Sequence, residues 1–145
     1  YASSARWSWS VQEGVPATDL RKKGGDDRNL ALYFVFLPEA EAQALKGASV
    51  RKLLTNDAAR VLVYVWGGSH NRGAVLSSPY LGNRGKTIIL RGSGTGSANE
   101  NVNLARDYAN AFGGGTAALG GLALSGDSDD TDTRIRASVS GLSVN

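Results

Sequence analysis

The densest group of chemistry-bearing residues is the run Asp127-Ser-Asp-Asp-Thr-Asp132, which places Asp127, Asp129, Asp130 and Asp132 within six positions. Carboxylates so close together repel one another unless water, arginines such as Arg134 and Arg136, or a hard cation intervenes. Ca2+, with roughly six to eight oxygen ligands, is the cation that suits them. The run is not an EF-hand: the sixth place holds Asp132 instead of glycine, and the twelfth holds Ser138 instead of glutamate. A solvated acidic turn explains it equally well. Asp26 and Asp27, after two glycines, form a second acidic pair. They suit acid–base work or a cation, and they also suit a turn in which aspartates bond their own backbone.

Aromatic side chains offer a different chemistry, the flat apolar face with a polar edge on which a sugar ring stacks. Trp7, Trp9, Tyr64, Trp66 and Tyr80 are the candidates. Tryptophans on strands usually belong to a core, so the most exposed one is expected to be Trp66, which precedes Gly67-Gly68 and the single histidine, His70. Trp66, His70 and Tyr80, with Asp26 and Asp27, therefore form the expected ligand-binding set. One loop histidine does not define a Ser/His/Asp constellation. The stretch from Gly92 to Ser97 looks like a phosphate cradle but lacks the lysine that a P-loop needs, and it reads as a flexible connector.

The scaffold for these groups follows from alternation. In Arg6 to Val11, Trp7, Trp9 and Val11 fall on one face of a half-buried strand, with Arg6, Ser8 and Ser10 on the other. Leu30 to Leu37 and Val61 to Trp66 are apolar on both parities, as strands covered on both sides are. Further strands are expected at 86–91, where Ile88 and Leu90 share a face, and at 117–124 and 134–144. In the last one a bulge near Gly141 would account for the shift of inward phase after Val139.

Pro38 to Lys46 reads as a short helix stopped by Gly47. A longer helix is expected over 98–112, opened by the capping pair Ser97 and Glu100 and burying Ala105, Tyr108, Ala109 and Phe112. Six strands with one or two inserted helices predict a single mainly β domain over 1–145, an antiparallel jelly-roll-like sandwich. Trp7, Tyr33 or Phe34, Val63 and Ile88 are expected in one buried cluster between its sheets.

Composition narrows the function. In 145 residues there are 19 glycines, a share well above the usual ~7%, which points to many tight turns. The net charge is +3 and the pI about 9.4, yet the charges are scattered and form no basic stripe, so nucleic acid is not an expected partner. Without cysteine there is no disulfide framework or thiolate metal site. No apolar run reaches the roughly 18 residues of a membrane span. The chain starts at Tyr1 and contains no methionine. It is therefore expected to be a processed or trimmed product with any export signal already gone, secreted or periplasmic, with or without an N-terminal strand.

Taken in order, Trp7-Ser-Trp9, Gly25-Asp26-Asp27, Val35-Phe36, Tyr64-Val65-Trp66, Ser93-Gly94, Asp107-Tyr108 with Phe112-Gly113, and Asp127 to Thr131 span nearly the whole chain. This ordered set resembles the bacterial exported family called domain of unknown function 3047. The resemblance implies an envelope or secreted β-sandwich, similar in outline to galactose-binding-like and jelly-roll carbohydrate modules, with no established reaction or cofactor. The expected function is a non-catalytic exported module that binds a glycan or another cell-envelope component. The alternatives are an envelope polysaccharide enzyme using Asp27 and an aspartate of the 127–132 loop, and a structural subunit that forms homo-oligomers by strand exchange at an open edge.

Overall fold

Which face each strand presents is decided by alternation, and the structure follows it closely. The computed structural model describes residues 3–22, 27–78, 81–113, 117–127 and 134–145. In chain order these form β1 (Ser4–Glu13), β2 (Arg28–Leu37), α1 (Glu39–Ala44), α2 (Val50–Leu54), β3 (Arg60–Trp66), β4 (Val75–Ser78) and β5 (Gly82–Arg91). There follow β6 (Gly96–Asn103), α3 (Leu104–Phe112), β7 (Ala118–Asp127) and β8 (Arg136–Val144). Two sheets result, a three-stranded one in the order β6-β1-β8 and a five-stranded one in the order β4-β5-β3-β2-β7. The molecule is a mainly β sandwich.

Between the sheets, β1 contributes Ala5, Trp7, Trp9 and Val11, and the larger sheet contributes Leu32, Phe34, Phe36, Leu62, Tyr64, Trp66, Ile88 and Leu90. The rings interlock: Trp7 meets Trp9 edge-on at 5.4 Å, Trp9 meets Trp66 at 5.7 Å, and Phe34 meets Tyr64 at 5.6 Å. Each such pair contributes ~0.5–1.5 kcal/mol beyond the area it buries.

The other parity of β2 and β3 builds a second core on the outer face of the larger sheet. Ala31, Val35, Leu37, Val61, Val63, Val65 and Ile89 pack there with Leu20 and Leu53. Val63 therefore does not join Trp7, Phe34 and Ile88 as expected, because on a strand it must point away from Leu62 and Tyr64. Helix α2, not anticipated from the sequence, is part of the cover. It is capped by Ser49, whose side chain accepts from Lys52 N, and it comes close enough to β7 that a Cβ at Gly121 would fall 2.8 Å from Leu53 Cδ1.

The sequence indicates six strands, whereas the described residues hold eight. The short β4 and the whole of β6 were not expected. Every strand pair is antiparallel except β3 and β5, which run parallel without a crossover helix. The reason is that β4 itself makes the return: the chain leaves β3, passes to the far edge, and comes back as β5 between the two.

The expected bulge is present. Arg6 pairs with Ser143 but Ser8 with Ser140, so β8 holds one extra residue opposite Trp7, and Gly141 at φ 66° takes the left-handed conformation that such a bulge needs.

The first half of the expected 98–112 helix is instead strand β6. There Ala98, Glu100 and Val102 alternate inward and the other positions face solvent. The helix begins only at Leu104, with Asn103 as its N-cap accepting from Arg106 N at 2.9 Å. That start sets its inward face: Leu104, Tyr108, Ala111 and Phe112 pack on the inter-sheet core, while Ala105 and Ala109 are exposed.

Candidate functional site

On the side of the sandwich where β5 passes to β6, the strand alternation drives a carboxylate into the interior. Glu100 sits at an inward position of β6 and is buried. Three donors meet it. Its Oε2 accepts from Trp9 Nε1 at 3.0 Å and from Arg91 Nε at 3.3 Å, and its Oε1 accepts from Arg72 Nη2 at 3.2 Å. Arg72 also donates to Leu90 O at 2.6 Å, and the Arg91 guanidinium lies over the Trp66 ring at 5.6 Å. A buried carboxylate is tolerated only when it is paired and hydrogen-bonded in this way.

A second acid–donor pair sits next to it. Asp107, in the first turn of α3, accepts from the buried Tyr64 hydroxyl at 2.6 Å, and Arg106 Nε lies 3.8 Å from its other oxygen. Burial first, and then the bond to Asp107, push the Tyr64 phenol far above its usual range and hold it protonated.

Of these groups Arg72, Arg106 and Asp107 line a cavity of about 460 Å³ between β5, β6, α3 and the 67–74 loop. Its floor is aliphatic, formed by the buried Ile88, Leu90 and Val102, with the exposed Val75 at its edge. Its rim is polar: Arg72, Asn101, Arg106, Asp107 and Asn110. An apolar floor with a few converging polar groups is the usual build of a small-ligand site.

The described residues among those singled out from the sequence do not line this cavity. Trp66 is buried rather than exposed, and its Nε1 donates to Gly94 O at 3.2 Å, because its parity on β3 points it between the sheets. His70 accepts at Nε2 from Leu20 N at 3.2 Å, with Asp19 Oδ1 3.4 Å away. With Ser69 N bonded to Thr18 O at 2.9 Å, it ties the 67–74 loop to the 14–22 loop. Asp19 is held well below the usual carboxylate range by the side chain and the backbone N–H of Arg21.

Asp27 is buried where the chain enters β2. Asp127 ends β7, in register with Arg28. Asp26 and Tyr80 lie outside the described residues, as do Asp129, Asp130 and Asp132 of the expected Ca2+ loop. Among the described residues no group of three or more acidic or histidine side chains could hold a metal ion. No described helix is long and apolar enough to cross a membrane.

The cleft residues were missed because they are far apart in the chain. The one local signal was Glu100 between Ala98 and Val102, an acid at an inward position, and the helix reading concealed it.

The fold and this cleft together define a two-sheet β protein with a cavity at one open side of the sandwich. The chain belongs to the family described as Protein of unknown function (DUF3047), whose model matches residues 2–143. No curated protein and no solved structure matches it.

Proposed function

We propose that the chain is a non-catalytic binding module, exported to the cell envelope or secreted, that takes a glycan or another envelope component in the cleft between β5, β6 and α3. The observation that carries this reading is the combination of an aliphatic floor with the Asn101 and Asn110 amides and the Asp107 carboxylate on the rim. A sugar ring presents the complementary pair, an apolar C–H face and an edge of hydroxyls. Hydrolysis by paired aspartates has less support, because Asp27 is buried away from the cleft and Asp107 is the one acidic side chain among its described lining residues.

Titration calorimetry against a panel of envelope polysaccharide fragments tests the reading. One or more fragments should bind the intact protein, and an Asn101→Ala/Asn110→Ala variant should bind roughly 10- to 100-fold more weakly, since each amide hydrogen bond contributes about 1 kcal/mol. Binding unaffected by the double variant, or no binding across the panel, would sink it.

Assembly by strand exchange is a second reading, favoured by the exposed leucines of the opposite edge strands: Leu122 (39%), Leu124 (51%) and Leu142 (40%). Light scattering would show a concentration-dependent dimer if it holds, and a monomer at high concentration if it does not.

A further inference from the structure

Resting on the glycan reading of this cleft, we infer that its ligand is an acidic saccharide, a sugar ring carrying a carboxylate, with Arg72 and Arg106 as the residues that recognise the charge. Three guanidinium groups, those of Arg72, Arg91 and Arg106, stand here against two carboxylates, Glu100 and Asp107. One positive charge is left over.

The hydrogen-bonding capacity is lopsided in the same direction. Both oxygens of Glu100 are occupied by Trp9 and the two arginines, and Asp107 gives one oxygen to Tyr64 while the other faces Arg106. Both carboxylates are thus already paired, and the rim's other acceptors are the uncharged amide oxygens of Asn101 and Asn110. Donors remain: Arg72 and Arg106 line the cleft with side chains 59% and 67% exposed, and a guanidinium carries five N–H groups of which Arg72 spends two on Leu90 and Glu100.

A neutral sugar needs acceptors as well as donors for its hydroxyls. A carboxylate needs donors alone, and arginine's planar fork matches its two oxygens. Arg72 is itself held in place by Leu90 O and Glu100, so little conformational freedom is lost when it binds. The aliphatic floor then receives the C–H face of the ring.

The test uses the full chain and measures affinity for carboxylated saccharides, namely oligogalacturonate, glucuronate and N-acetylneuraminate, each beside its neutral methyl ester. At least one acid should bind at least tenfold more tightly than its ester, and its affinity should fall as salt is raised. Arg106→Gln should weaken the acid about tenfold more than it weakens the ester. Because Arg106 is mostly exposed, the variant's melting temperature should match that of the parent.

Equal affinity for acid and ester, or an Arg106→Gln variant that keeps full affinity for the acid, overturns the inference. If neutral saccharides bind and the Asn101→Ala/Asn110→Ala variant loses them, the glycan reading stands and only the acidic preference falls. If no saccharide of either kind binds, both fall together.

Discussion

The two open sides of the sandwich meet the same problem, inward-facing groups at a sheet edge, in opposite ways. On the β5/β6 side an inward position holds the carboxylate of Glu100, and two arginines from the 67–74 loop and the end of β5 close over it while α3 covers the end. On the β7/β8 side the inward positions hold leucines. Leu122 and Leu124 pair in register with Phe34 and Leu32 and so share the face of the inter-sheet core, yet they stay exposed. Facing the core is therefore not enough to be buried; a residue also needs lateral cover. A polar side can recruit that cover through directed bonds, whereas an apolar side can obtain it only from another surface.

The comparison is broken most directly at the arginines. The double variant Arg72→Ala/Arg91→Ala leaves Glu100 buried with Trp9 as its remaining donor. It should lose about 3 kcal/mol in urea melts, the low end of what an uncompensated buried charge costs. A loss below about 1 kcal/mol would show that the ionic network does not hold this side together.

Next in size is a pH effect. The folded Tyr64 stays protonated well above the 10.0 at which an ordinary tyrosine ionises. Its contribution is therefore fully present below about pH 10. It is lost as pH rises above that value, because the unfolded chain then releases a proton that the folded chain retains. From this group alone stability should fall by about 1.4 kcal/mol per pH unit. Tyr64→Phe should flatten the alkaline limb by one proton, and an unchanged slope would mean that Tyr64 ionises normally.

The smallest effect is expected on the other side. Leu122→Thr and Leu124→Thr should each change stability by no more than about 0.5 kcal/mol, as surface substitutions do. A loss above about 2 kcal/mol would place these leucines in a covered core and erase the contrast.

What the sequence reveals and what it hides divide along the same line. Strand β1 is legible because Trp7, Trp9 and Val11 alternate with polar residues, and β2 and β3 because both parities are apolar. The bulge at Gly141 shows as a break in that alternation. Strand β6 fails the same criterion because its inward positions hold Ala98, Glu100 and Val102, and a carboxylate there makes no sense until Arg72 and Arg91 arrive from elsewhere in the chain. Ser97 and Glu100 meanwhile imitate a helix cap. Local rules read the segment as helix, and long-range pairing with β1 made it a strand. The cleft was hidden for the same reason, since its floor and rim come from four separate segments.

The position of β1 has a consequence in time. Its two neighbours in the sheet come late in the chain: the bond from Trp9 to Glu100 joins residues 91 apart in sequence, and β8 lies further still. At about 5–20 residues per second, a ribosome needs roughly 5 to 20 s after making Trp9 before Glu100 exists at all. Through that interval the larger sheet can begin to form from β2 onward, but Trp7 and Trp9 have no sheet of their own to join. The nascent chain thus carries this strand and its two tryptophans unpaired throughout that interval, and that strand is where a holding chaperone would be expected to bind and where mispairing would begin.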